Sequence, residues 1–182
     1  MTAKTHYAFA FLATSAVGVP REIALASSVL AIVPDIDHTS SLIGRIFPAI
    51  SAPLMARYGH RTITHSLPLV AALALVLLPL VFFYPLIYQA LLIAYASHIF
   101  IDCFNMAGVR LFYPFSQKEY ISFRTERLRV KVSSWQEYAI FIMLIFAIVA
   151  LSGRTVSITQ AAFSVSRYFF KSYSVAYKSY RN

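Results

Sequence analysis

Charge is the scarcest commodity in this chain. Lys, Arg, Asp and Glu make up 13% of its 182 residues, against 59% hydrophobic and 15% aromatic. A soluble domain carries about 25% charged residues, so too little polar surface is present to cover a water-soluble core. Cysteine is almost absent: Cys103 stands alone, which excludes an intramolecular disulfide and leaves the redox compartment open. No Gly-x-Ser-x-Gly elbow and no Walker loop occur, so those two catalytic classes have no footing. No repeat or low-complexity tract divides the chain, and its length suits one domain over 1–182.

Acidic residues are fewer than half the basic ones, and the net charge is +9. A nucleic-acid binder would gather such bases on a solvated face. Here they lie between long apolar runs, where membrane topology and anionic lipid account for them, and no direct nucleic-acid contact is expected. A signal peptide is a poor fit to the first residues. Lys4 is a weak positive region, and apolar sequence resumes at Ile23.

The apolar runs predict an all-α integral membrane bundle of roughly four to six helices. Tyr7–Val17 and Ile23–Val33, separated by the turn residues Gly18 to Glu22, form a short N-terminal helical hairpin. Each arm is below the ~20 residues of a full span. Thr39–Tyr58, with Pro48 and Pro53, is expected to be a loop or interfacial segment. Leu67–Phe83 and Leu86–Phe104 are expected spans, with Pro79 a site for a kink. A basic stretch then carries Arg110, Lys118, Arg124, Arg127, Arg129 and Lys131. Trp135 and Tyr138 suit an interfacial belt ahead of a third span, Ala139–Leu151. The tail, with Phe169-Phe170-Lys171 and Tyr177-Lys178, suits a membrane return or an interfacial end.

All five histidines and all three aspartates fall in four short clusters beside these runs: His6; Asp35, Asp37 and His38; His60 and His65; and His98 with Asp102. Helix arithmetic brings them together. From His6 to Gly18 is about 18 Å of helix, and from Glu22 to Asp35 about 20 Å. Ser66 to Phe83 is about 26 Å, and Leu86 to Asp102 about 24 Å. Two hairpins therefore return all four clusters to one level. Most bases outside the tail, including Lys4, Arg45, Arg57, Arg61 and Arg110, lie on that side, with only Arg21 and Arg154 opposite. By the positive-inside rule the cluster side is cytoplasmic.

His98 and Asp102, four residues apart, share a helix face and can bind one ion, or simply pair with each other. Asp35, Asp37 and His38 offer three ligands at a helix end, or a solvated terminus. His60 and His65 flank Arg61 just before a helix start, where an anionic oxygen is favoured; Arg61 fits a membrane-flanking base equally well. His6 is the weakest candidate, since a lone His before a helix is more often structural. Together the set exceeds the four ligands of a closed zinc site and suits two ions with open positions for water. Asp35 or Asp37 could instead be a general base, and spacing does not separate the two roles.

These motifs resemble the YdjM-like family. They comprise an N-terminal Thr-His, Pro34-Asp35-Ile36-Asp37-His38, Gly59-His60-Arg61-Thr62-Ile63-Thr64-His65-Ser66, Ser97-His98-x3-Asp102 and Tyr113-Pro114-Phe115. The resemblance covers about residues 3–116, a motif-bearing core, and leaves the basic loop and C-terminal helices over about 117–182 without a signature. It implies a multi-pass protein of the bacterial inner (cytoplasmic) membrane, of a family described as predicted metal-dependent hydrolases and as LexA-binding. It also implies a divalent metal, zinc first.

The resulting expectation is a hydrolase of an ester or phosphoester at the cytoplasmic membrane face, with a lipid-borne substrate attractive and Arg61 and Arg110 available to a phosphate. The expected metal ligands are His6, Asp37, His38, His60, His65, His98 and Asp102, around one ion or two. Asp35, Asp37 and Arg61 are the expected catalytic groups. The rival expectation is a metal-stabilised membrane scaffold that binds a soluble, LexA-like regulator through Arg110–Lys131.

Overall fold

The computed structural model describes residues 1–123 and 129–152. Arg124 and Arg127 of the basic stretch, and the aromatic-basic pairs of the tail, lie outside them. Residues 1–145 form one compact unit; residues 146–182 form a second, described only through the end of its first helix. Every regular element is helical, and no strand occurs among the described residues.

Helix α1 (Ala3–Ala16) stops at Gly18, whose φ of +85° is a left-handed turn open to glycine. Pro20 then introduces α2 (Arg21–Ser27), completing the expected hairpin. The return arm is not uniformly α-helical: Ser28–Asp37 winds as a 3-10 helix containing Pro34. Proline lacks the N–H that a continued α-helix needs, and 3-10 winding rises about 2.0 Å per residue instead of 1.5. Over ten residues that adds about 5 Å of reach and carries Asp35 and Asp37 toward His65 and His60.

Thr39–Tyr58, read as a loop or interfacial segment, is largely helical. It holds α3 (Leu42–Ile46), capped by Ser41 Oγ accepting from the Gly44 N–H, and α4 (Pro48–Tyr58), started by proline. Pro48 occupies a first-turn position where proline is tolerated, while Pro53 lies within α4. Gly44 is required by packing. A Cβ there would lie 2.1 Å from the His38 carbonyl oxygen and 2.9 Å from Ser51 Oγ.

The apolar run Leu67–Phe83 is interrupted at Pro79, where a kink was expected. Helix α5 (Leu67–Val76) ends before Pro79, and α6 (Leu80–Phe83) restarts after it, so proline breaks this run outright. Among the described residues two helices are long and apolar enough to cross a membrane: α7 (Pro85–Asp102) and α8 (Trp135–Ser152). Helix α8 starts at Trp135, four residues before the expected Ala139. In the first unit Met1, Ile101 and Val130 form a buried cluster with Ile140 of α8 against it.

Candidate metal centre

The site begins with small residues. Ala10 of α1, Ala31 of the 3-10 segment and Ala94 of α7 are fully buried together, which lets three backbones approach closely. At that contact His98 Nδ1 donates to the Ala31 carbonyl at 2.6 Å. The neutral ring is thereby set with its proton on Nδ1 and a lone pair on Nε2.

His65 is set the same way from another direction. It sits in a short 3-10 turn, Ile63–His65, just before α5. Thr64 Oγ1 donates to Asp37 Oδ2 at 2.6 Å and lies 2.9 Å from His65 Nδ1. With its hydroxyl proton committed to Asp37, that oxygen can only accept, so His65 Nδ1 is the donor. His65 Nε2 is then also a lone pair, and it faces His98 Nε2 at 2.9 Å. Two such lone pairs repel unless a cation or a proton lies between them.

Carboxylates complete the set. Asp35 Oδ1 lies 3.8 Å from His65 Nε2 and 3.6 Å from His98 Nε2. Asp102 Oδ2 lies 3.7 and 3.8 Å from the same two atoms. The edge of a tetrahedron with metal–ligand bonds of about 2.0–2.1 Å is about 3.3–3.4 Å. The four donors Asp35, His65, His98 and Asp102 therefore fit a small divalent ion. Asp35, Asp37 and His60 form a second group of close donors, so Asp35 belongs to both groups.

Asp37 is fully buried and saturated. Its oxygens accept from His60 Nδ1 at 2.7 Å, from the Arg61 N–H at 2.9 Å and from Thr64 Oγ1. Burial pushes its carboxyl upward, but the hydrogen bond from His60 and the closeness of the His60 and His65 imidazoles prevail and hold it far below the usual carboxylate range. Asp35, by contrast, accepts through its backbone carbonyl from Ser41 Oγ and keeps its carboxylate for the site.

The remaining candidates divide. His6 is fully buried and stacked on His98 with ring centroids 3.7 Å apart, and its Nε2 is 3.4 Å from Asp102 Oδ1. Neither of its ring nitrogens has a hydrogen-bond partner. The weakest candidate by sequence is thus among the most deeply placed. His60 bonds Asp37, while His38 sits 4.6 Å from the His60 ring with Nδ1 3.0 Å from Ser40 Oγ. Partial burial and the neighbouring His60 charge lower the His38 pKa. His38 belongs to neither close donor group among the described residues.

Arg61 has a left-handed backbone, φ +61°, two residues after Gly59 at φ +75°; for a non-glycine residue this costs about 1–3 kcal/mol. Its Nη2 lies 2.9 Å from Asp102 Oδ2, though not along an N–H, and its Nε is buried without a partner. Arg110, the other expected phosphate group, is turned to Glu119 at 3.1 Å.

Several contributors were not legible from residue type. The Met1 ammonium and Asn105 Nδ2 both donate to Asp102 Oδ1 at 2.9 Å. Tyr95 Oη donates to the Thr64 carbonyl at 2.7 Å. Buried Glu137 of α8 accepts from the Thr2 N–H, Thr2 Oγ1, Thr5 Oγ1 and the Ser133 N–H. Thr64 lies within the Gly59–Ser66 string and Asn105 only three residues from Asp102, so both could have been suspected; Met1, Tyr95 and Glu137 reach their partners from distant parts of the chain. An open pocket of about 450 Å³ meets the centre, walled by Asp35, His38, His60, Arg61, Leu42 and Arg45.

The family model for YdjM inner membrane protein matches residues 1–177. A Bacillus subtilis (strain 168) protein, YvsG, named as uncharacterized, is 33% identical over 126 residues, 63% of this chain and 74% of its own. The inner membrane protein YdjM of Escherichia coli (strain K12) is 39% identical over 87 residues, 46% of this chain and 44% of its own, as is that of Shigella flexneri. No solved structure matches.

Proposed function

The chain belongs to the YdjM family of inner membrane proteins, and from that premise we propose that it is a membrane-bound, metal-dependent hydrolase of an ester or phosphoester. One observation carries the reading: His65 and His98 turn their Nε2 atoms to each other at 2.9 Å, with Asp35 and Asp102 oxygens 3.6–3.8 Å from both. Metal-supporting histidines characteristically tie their other nitrogen to a carbonyl or carboxylate network, as His98 does to Ala31 and His65 to Thr64 and Asp37.

In this reading a divalent ion, zinc first, would be held by Asp35, His65, His98 and Asp102, and in the second donor group Asp37 would serve as the supporting carboxylate of His60. His6, stacked on His98, and His38 lie outside both donor groups. When bound, such an ion supplies an activated water and polarises an ester oxygen. The chain's own residues do the rest. Asp37 orients His60 and His65 rather than reacting. Asp35, at the pocket wall with Oδ1 turned to His65 and His98, would serve as a ligand that faces the substrate side. The Arg61 guanidinium, held by its strained backbone beside the pocket, binds the anionic oxygen. The protein works as a multi-pass helix bundle with this pocket at the cytoplasmic face, where Arg45, Arg57 and Arg61 satisfy the positive-inside rule.

The test is metal content and turnover of the purified full chain in detergent, with bis-p-nitrophenyl phosphate and p-nitrophenyl esters as substrates. Bound zinc, with turnover lost in His65→Ala, supports the hydrolase. Retained metal without turnover on either class overturns it.

A further inference from the structure

Helices α3 and α4 show apolar side chains that nothing among the described residues covers. Leu42, Ile46, Phe47 and Ile50 are each about half exposed, at 56, 60, 47 and 50%. Leu42 and Arg45, from the same short helix, also wall the pocket. Arg45 has no ion-pair partner among the described residues, and the buried Arg61 Nε in the same wall has no hydrogen-bond partner. The pocket thus joins an apolar rim to two guanidinium groups with spare donors.

Its depth agrees with the rim. Asp102 is the last residue of α7, and Val132 and Ser133 in the pocket wall lie just ahead of α8. The pocket therefore sits at the ends of the two membrane-length helices, the level of lipid headgroups. Trp135 and Tyr138, 76 and 50% exposed, stand at that same end, as interfacial aromatics do. A site for a soluble phosphoester would need the guanidinium groups but not the apolar rim.

We propose that the pocket admits the phosphate of a membrane phospholipid, with its acyl chains lying on the exposed face of α3 and α4 and its phosphate between Arg45 and Arg61. This rests on the pocket being the substrate face of the centre described above, and it names the substrate class. Arginine suits the task because its planar fork pairs with two phosphate oxygens at once.

The full chain in detergent is titrated with dioctanoyl phosphatidate, glycerol 3-phosphate and dioctanoylglycerol, with binding read by native mass spectrometry. The expected result is phosphatidate bound at least tenfold more tightly than either fragment. Arg45→Ala and Phe47→Asp should each weaken it several-fold, with metal content unchanged. Equal binding of glycerol 3-phosphate overturns the lipid source, and equal binding of dioctanoylglycerol overturns the phosphate. Unaltered affinity in both variants overturns the location. Binding is read without turnover: lipid capture without hydrolysis sinks the hydrolase reading alone, and hydrolysis of a soluble diester without lipid capture sinks this one alone.

Discussion

His65 and His98, 33 positions apart, point the same ring atom at each other: Nε2 to Nε2 at 2.9 Å. Each has its other nitrogen committed elsewhere, so neither ring can rotate to relieve the contact without breaking a hydrogen bond. If the cation between them is a metal, His98→Ala should reduce bound zinc at this position to background. Elemental analysis of the purified protein reads this directly. Unchanged zinc in both His65→Ala and His98→Ala would sink the shared centre.

Asp37→Asn keeps the size of the side chain but removes the charge that orders His60, Thr64 and His65. Loss of such a supporting carboxylate typically costs about 10–100-fold in metal affinity. Competition against a chromogenic chelator should show a drop in that range with the fold intact. A variant with wild-type affinity would mean that Asp37 orients nothing.

The same carboxyl makes a pH prediction. Its folded pKa is depressed, so its contribution to stability is present above the unfolded value, about 4, and is lost only as pH falls through the lower folded value. Between pH 5 and 7.5 the metal-free melting temperature of Asp37→Asn should therefore trail the wild type by a constant interval. Metal affinity should still fall on acidification in both, because imidazole ligands must be neutral. A stability gap that closes toward pH 5 would contradict the depressed carboxyl.

Gly44→Ala places a methyl group 2.1 Å from the His38 carbonyl oxygen. Backbone cannot yield as a flexible side chain would, so α3 must move away from the His38 turn. Overpacking of this kind costs about 1–3 kcal/mol, readable as a lower thermal midpoint in detergent. An unshifted midpoint would show that α3 does not pack as described.

Glu137→Gln weakens four hydrogen bonds that hold the N-terminal segment and the turn before α8. Bonds to a charged acceptor contribute about 1.5–3 kcal/mol each, less when a neutral amide oxygen remains. Amide exchange at Thr2 to Thr5 should accelerate by at least tenfold while α7 stays protected. Unchanged exchange would make Glu137 a bystander.

Much of the arrangement is legible along the chain because it depends on length. Two apolar arms of similar length return their ends to one level, and His6, Asp35, His65 and His98 do meet there. Proline was harder to read. At Pro34 it changed the winding, at Pro48 it started a helix where a loop or interfacial segment was expected, and at Pro79 it interrupted a run where a kink was expected. One residue type has three outcomes because each depends on whether its missing N–H would have had a partner. The burial of His6 was equally hidden, since stacking on His98 requires α1 and α7 to touch through Ala10 and Ala94.

Sequence by itself determined which His and Asp side chains could gather, that the chain suits a membrane, and the family to which it belongs. Only the tertiary structure decided how the work is divided among them. Asp35 and Asp37 are two residues apart, yet one keeps a free carboxylate while the other is consumed by His60, Arg61 and Thr64. Which nitrogen of His98 is free depends on a carbonyl 67 positions away. A ligand and its support are the same residue types, and partners brought from distant parts of the chain make the difference.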